Sequence, residues 1–131
     1  MAMHLAWGSD IALHIGTHYI RATIANTPDS RERGLMLSNH LCENCGMLFV
    51  FPKAGNYSFW MKNTPLPLSI AFIAADGRIL NIDEMQANTT HSHYAKGQAL
   101  YTLEMNKSWF SDHAIKPADQ VDGLLQAPQG Q

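Results

Sequence analysis

Three neighbours in the chain carry side chains that could do chemistry together: Trp60, Lys62 and Asn63. They lie in the run Phe59-Trp60-Met61-Lys62-Asn63-Thr64, between the apolar segments 46–51 and 66–73. An extended strand sends successive side chains to opposite faces. Phe59 and Met61 then enter the core, while Trp60 and Lys62 share the other face. An indole offers a flat plate on which a sugar or another ring can stack. An ammonium beside it suits a carboxylate or phosphate, and a carboxamide both donates and accepts hydrogen bonds. Arg33 at a helix end, with Glu104 or Asn106 on a late strand, could complete such a ligand site. A purely structural use of these residues is equally coherent. Trp60 would cover a barrel mouth, Lys62 would pair with Glu104 or Asp83, and Asn63 would bond its own turn.

A second grouping is Cys42-Glu43-Asn44-Cys45. Its CxxC spacing allows a small disulfide, a redox couple or half of a tetrahedral zinc site. It also allows two unpaired thiols in a loop. His40 precedes it, and His91 and His93 alternate further on, as metal ligands sometimes do. These four residues, Cys42, Cys45, His91 and His93, are weak metal candidates. No thioredoxin-like frame surrounds the cysteines, and histidines in a polar loop are most often solvated. No metal and no other cofactor is expected. Asp83 and Glu84 point to opposite faces if extended, which argues against a paired-carboxylate hydrolase. No glycine-rich phosphate loop and no nucleophile elbow is present.

Size and charge narrow the class. The chain has 131 residues and is most simply one domain, with a core at about residues 11–125 and flexible ends at 1–9 and 126–131. Apolar residues make up 46% and charged residues only 15%. Nine basic and 11 acidic side chains give a net charge of -2, so no basic stripe points to nucleic acid. The apolar runs are too short to span a membrane. The first residues lack the pattern of a secretory signal, so the expected compartment is the cytoplasm, or an exported location if a leader has been removed. Oligomeric state is not legible.

The elements that would position these residues read as follows. Residues 11–25 form two short strands broken at Gly16-Thr17, with Ile20, Ala22 and Ile24 facing the core. Thr27-Pro28 starts a short helix that Asp29 and Glu32 favour electrostatically, ending near 34–37. Residues 47–51 form a buried strand, 52–56 a turn and 57–62 the strand already described. Two prolines keep 63–67 out of any central strand. Asp76-Gly77 between apolar runs predicts a hairpin. Residues 86–97 are the longest loop, 99–106 a strand, 108–113 a helical turn or two, 116–119 a turn and 120–125 a last strand. The expected class is α+β but mainly β, a strongly curved mixed sheet or partly closed barrel with one or two short helices.

Several segments together resemble one family. They are Arg33-Gly34-Leu35-Met36, residues 46–51, Phe59-Trp60-Met61-Lys62-Asn63-Thr64, residues 67–73, Asp76-Gly77 and Leu103-Glu104-Met105-Asn106. The chain is similar, from about residue 11 to 123, to the prokaryotic family called domain of unknown function 192. That resemblance implies a compact strand-rich fold with a short helix after the first strands, and no established activity. Many similar proteins carry export leaders. The family usually has glycine where this chain has Ser108, Ala114 and Ala118, and the paired cysteines are not part of its pattern. Alanine in a left-handed conformation costs about 1 kcal/mol, so Ala118 is expected in a type I turn, which needs no positive φ.

Function is therefore expected to be ligand binding. The leading reading is a module for a small anionic or carbohydrate-like ligand, or a peptide segment, at a cleft formed by Trp60, Lys62 and Asn63. Whether the chain is an enzyme stays open. The alternatives are a hydrolase or transferase using Lys62 or Glu104 with Asn63 steadying negative charge, and a zinc- or thiol-dependent regulator through Cys42 and Cys45.

Overall fold

The computed structural model of the protein describes residues 10–131. The flexible segment expected at 1–9 lies outside the described residues. The chain opens with a hairpin, β1 (Asp10–Ile15) and β2 (His18–Ala25), turned at Gly16 with φ 60°. Helix α1 (Pro28–Arg33) follows. Thr27 and Ser30 cap each other's backbone N–H groups, at 3.1 and 3.0 Å, and Pro28 takes a position where no donor is missed. Gly34 ends the helix with φ 48°. A Cβ there would stand 3.3 Å from the ring of Phe49, so glycine lets the helix end lie close on the sheet.

The helix carries the chain to β3 (Cys45–Gly55), which runs parallel to β2. A two-residue strand β4 (Ser58–Phe59), the hairpin β5 (Leu68–Ile73) and β6 (Ile79–Met85), β7 (His93–Tyr94) and β8 (Ala99–Asn106) follow. Helix α2 (Trp109–Asp112), β9 (Val121–Asp122) and a 3-10 turn (Leu124–Gln126) complete the chain. Seven strands form one sheet in the order β6-β5-β8-β3-β2-β1-β9, and β4 pairs with β7 in a separate ribbon. The sheet curls into a half-barrel, and its edges meet at one end. Arg78 bridges Gln120, Ile79 N–H donates to Asp119 O at 3.0 Å, and Val121 N–H donates to Gly77 O at 2.9 Å. The expectation of a mainly β, strongly curved sheet with two short helices holds.

The sheet is apolar on both faces. Leu13, Ile20, Leu48, Leu103 and Phe110 fill the inside of the curl. On the other side Leu68, Ile70, Phe72 and Met85 are covered by Met61, Leu35, Leu41 and Leu66, which come from the irregular segments after α1 and β4. These covering segments form the walls of the site described below.

Local differences from the sequence reading have physical causes. β3 continues to Gly55 instead of turning at 52–56. Pro52 is tolerated because the ladder to β8 is irregular between Val50 and Gly55, where no donor is required of it. The strand expected at 57–62 shrinks to Ser58–Phe59. Thr64 N–H closes a turn on Met61 O at 3.2 Å, and Asn63 has φ 55°. The in–out alternation survives without the strand: Met61 is buried, and Trp60 and Lys62 are exposed. The last strand is two residues long, because Gly123 turns the chain at φ 101°. Residues 126–131, expected to be flexible, lie back on the fold. Gln131 N–H donates to Asn26 O at 2.7 Å, and Gly130 lies against the backbone of Phe51 and Pro52.

Ala118 is a correction. It has φ 80°, not the negative φ of a type I turn, and Ala114 and Ser108 are also left-handed at 57° and 65°. The reason is closure of the sheet edges: Ala118 N–H donates to Ile79 O at 2.8 Å, which holds the turn in a shape its Cβ disfavours. Replacing Ala118 or Ala114 with glycine relieves this strain. Each variant is expected to gain about 1 kcal/mol, a rise of a few degrees in Tm by calorimetry. An unchanged or lower Tm for both would show that the left-handed alanines are not strained.

Candidate functional site

The covering segments leave a cleft of about 370 Å³ on the outer face of the sheet. Four elements build it. The end of α1 contributes Arg31 and Arg33, and the residues after it contribute Leu35 and Met36. Strand β3 contributes Phe49 and Phe51, β4 and its extension contribute Phe59 and Trp60, and β8 contributes Glu104. The aromatic walls are packed against one another. Phe59 stands edge-on to Phe49 with ring centres 5.0 Å apart, and to Phe72 at 6.0 Å. Trp60 remains 48% exposed at the rim.

Two arginines share this rim in different states. Arg31 is committed: it donates to Val50 O at 2.9 Å and to Gln131 O at 2.6 Å, and it lies 5.2 Å over the Phe51 ring. Arg33 is exposed, and its guanidinium makes no hydrogen bond or ion pair among the described residues.

Glu104 is the unusual group. It sits mid-strand in β8, opposite Met47 on one side and Ile70 on the other. Only 4% of it is exposed, and no protein group among the described residues bonds its carboxyl. Burial alone pushes that carboxyl from its ordinary 4.5 up to about 8, so it is mostly a neutral acid at pH 7. Thr102, two residues earlier on the same face of the strand, has a buried hydroxyl that is likewise without a partner. The arrangement offers a buried O–H donor beneath an aromatic slot, with the hydroxyls of Ser58 and Ser92 in its lining and the Arg33 cation at its edge.

The residues singled out in the sequence separate here. Trp60, Arg33 and Glu104 line one cleft. Lys62 lies outside the lining, with its ammonium 5.4 Å over the Trp60 ring, and forms no ion pair with Glu104 or Asp83 among the described residues. Asn63 uses its backbone carbonyl to hold Leu37 N–H at 2.8 Å, fixing the segment after α1. Asn106 donates to Leu41 O at 2.9 Å and Cys42 O at 3.1 Å, tying the loop before β3 to the end of β8. Phe49, Phe51 and Phe59 were read as core, and their role as cleft walls has no signal in residue type alone.

The cysteine and histidine candidates do not converge. Cys42 and Cys45 form a disulfide with each other. His93 is buried and turned toward Asp83, 3.3 Å away, whereas His91 is exposed. Among the described residues no three histidine, cysteine or acidic side chains gather as a metal site. A second, more open groove of about 530 Å³ contains His18 and His113, with ring centres 4.7 Å apart. His113 is held there by Trp109 O at 2.7 Å.

The sequence profile of DUF192, described as an Uncharacterized ACR, matches residues 11–123. The chain belongs to this family. DUF192 takes its name from unknown function, and no curated protein matches the chain. Two solved structures share the fold. A Sinorhizobium meliloti 1021 protein, provisionally named a transcription regulator, is 30% identical with a TM-score of 0.82, over 87% of this chain and 92% of that one. A protein of unknown function from Novosphingobium aromaticivorans DSM 12444 is 31% identical with a TM-score of 0.81, over 87% of this chain and 84% of that one. Among the described residues no helix is long and apolar enough to cross a membrane.

Glu104 makes stability depend on pH. Between about pH 4.5 and 8 the folded chain keeps a proton that the unfolded chain gives up, so stability falls as pH rises and the loss is complete above about 8. The shift corresponds to about 5 kcal/mol at most. Denaturant unfolding of Glu104→Gln is expected to show a flatter profile than wild type across this window. Parallel profiles would mean that Glu104 is not held neutral by burial.

Proposed function

We propose that this DUF192 protein is a binding module whose Trp60 cleft takes a small anionic or carbohydrate-like ligand. One observation carries the reading: a buried carboxyl without a protein partner among the described residues lies at the floor of an aromatic cleft. Burying an unbonded polar group costs free energy, and a ligand that bonds it offsets that cost. The indole of Trp60 supplies a stacking plate, and Arg33 supplies an uncommitted charge at the edge.

The alternative enzymatic reading asks Lys62 and Glu104 to exchange protons with Asn63 nearby. Lys62 and Asn63 are absent from the cleft lining, so the geometry favours binding. The thiol or zinc reading gains no support from a cysteine pair bonded to itself. Nucleic acid is not the partner we propose, because the sequence, with a net charge of -2, carries no basic stripe. The reading applies in the cytoplasm, or outside it if a leader has been removed.

A thermal-shift screen against sugars, sugar acids and small aromatic anions tests the assignment. Any wild-type response is expected to weaken at least tenfold in Trp60→Ala and to change about threefold or less in Lys62→Ala. A Trp60→Ala variant that responds like wild type to every compound would remove the cleft from consideration.

A further inference from the structure

We infer that the Trp60 cleft selects a ligand carrying a carboxylate on a single ring whose face can stack on an indole, an aromatic acid or a sugar acid, with Glu104 donating its proton to that carboxylate and Arg33 balancing its charge. This rests on the binding reading and narrows it.

The donor set decides between ligand classes. The floor presents one neutral carboxyl, which donates a single O–H bond. A carboxyl–carboxylate bond of this kind is short and strong. The rim presents one uncommitted guanidinium, whose planar fork matches a carboxylate. The hydroxyls of Ser58 and Ser92 also line the cleft, but a phosphate dianion calls for a second charged donor, and Arg31 is not available because two backbone carbonyls hold it. An amine would need Glu104 ionised, and at the rim two arginines outnumber the one acid, Glu32. The neutral form of Glu104 suits an incoming anion. The cleft volume of about 370 Å³ lies near the lower end for small-molecule sites, which fits one ring better than two.

The groups around Glu104 set the pH response. Helix α1 brings Arg31, Glu32 and Arg33 to the cleft. β3 brings Met47 and Phe49, β5 brings Ile70, and the segments from β4 and β7 bring Ser58, Phe59 and Ser92, none of them charged. Arg31 is tied to backbone carbonyls, and Glu32 and Arg33 are exposed, so Glu104 is the buried one among these charged groups. Glu104 is therefore the group whose proton changes near pH 8. Once it ionises, its charge repels the bound carboxylate and the donor is lost. Affinity for a carboxylate is expected to fall about tenfold between pH 6.5 and 9.

Calorimetric titration of the full chain with benzoate and glucuronate, at pH 6.5 and pH 9, tests this. Phenyl phosphate, benzylamine and glucose serve as counter-probes. One of the two carboxylates is expected to bind wild type best at pH 6.5 and about tenfold less well at pH 9. Glu104→Gln keeps an N–H donor but cannot ionise, so its affinity is expected to be equal at the two pH values. Preference for phenyl phosphate, benzylamine or glucose would overturn the carboxylate inference, and so would a wild-type affinity that ignores pH. If the preferred probe in those cases still loses affinity in Trp60→Ala, the cleft reading survives the failure. No binding of any of the five probes overturns both. Melting curves for each variant at both pH values confirm that the protein titrated is folded.

Discussion

Burial of β8 on both faces is the constraint from which the site follows. The strand lies between β5 and β3 in the middle of the sheet. Its inward side chains, Tyr101, Leu103 and Met105, belong to the interior of the curl. Its opposite face is roofed by the segments that follow α1 and β4. In such a position every side chain is expected to be apolar, because no water reaches a polar one. Thr102 and Glu104 break that rule side by side. Apolar residues of similar volume would have made a more stable strand. The acid survives there in its neutral form, aimed into the gap its roof leaves open.

The roof keeps its shape through backbone bonds more than through regular structure. The capping box at Thr27 sets the direction of α1, and Gly34 brings its end down on Phe49. Asn63 and Asn106 then hold the two irregular segments, each through carbonyl bonds to neighbours distant in sequence. Both asparagines are thereby occupied in building walls. Arg31 is similarly engaged, linking α1, the end of β3 and the returning tail. This division of labour leaves Arg33, Trp60 and Glu104 among the cleft groups without structural duties.

Much of this was legible in the residues, and the reasons for the misses are specific. Period-two alternation located β2 and β8, and Asp76-Gly77 between apolar runs located the hairpin of β5 and β6. Those signals are local and come from sterics. Alternation also placed Trp60 outward and Met61 inward, although a turn replaced the strand on which that reading rested. The sequence offers Glu104 as a group that could complete the ligand site or pair with Lys62, and its burial is not legible there. What residue types could not reveal was long-range: that β8 inserts between β3 and β5, that Phe49, Phe51 and Phe59 converge as walls, and that closing the sheet edges forces Ala118 into the left-handed region. The polar composition of the tail gives no hint that the Asn26 carbonyl and Arg31 receive it.

The strand order also bears on how the chain reaches this state. The hairpin β5–β6 and the unit β1–β2–β3 can each assemble from neighbouring sequence, but they do not pair with each other. They are joined only when residues 99–106 slot between them. Until then both pieces display an unpaired strand edge, at β3 and at β5. Such distant pairings slow folding, and exposed edges invite association with other copies. Residues 99–106 follow both pieces in the chain, so the two halves are synthesised before the strand that matches them.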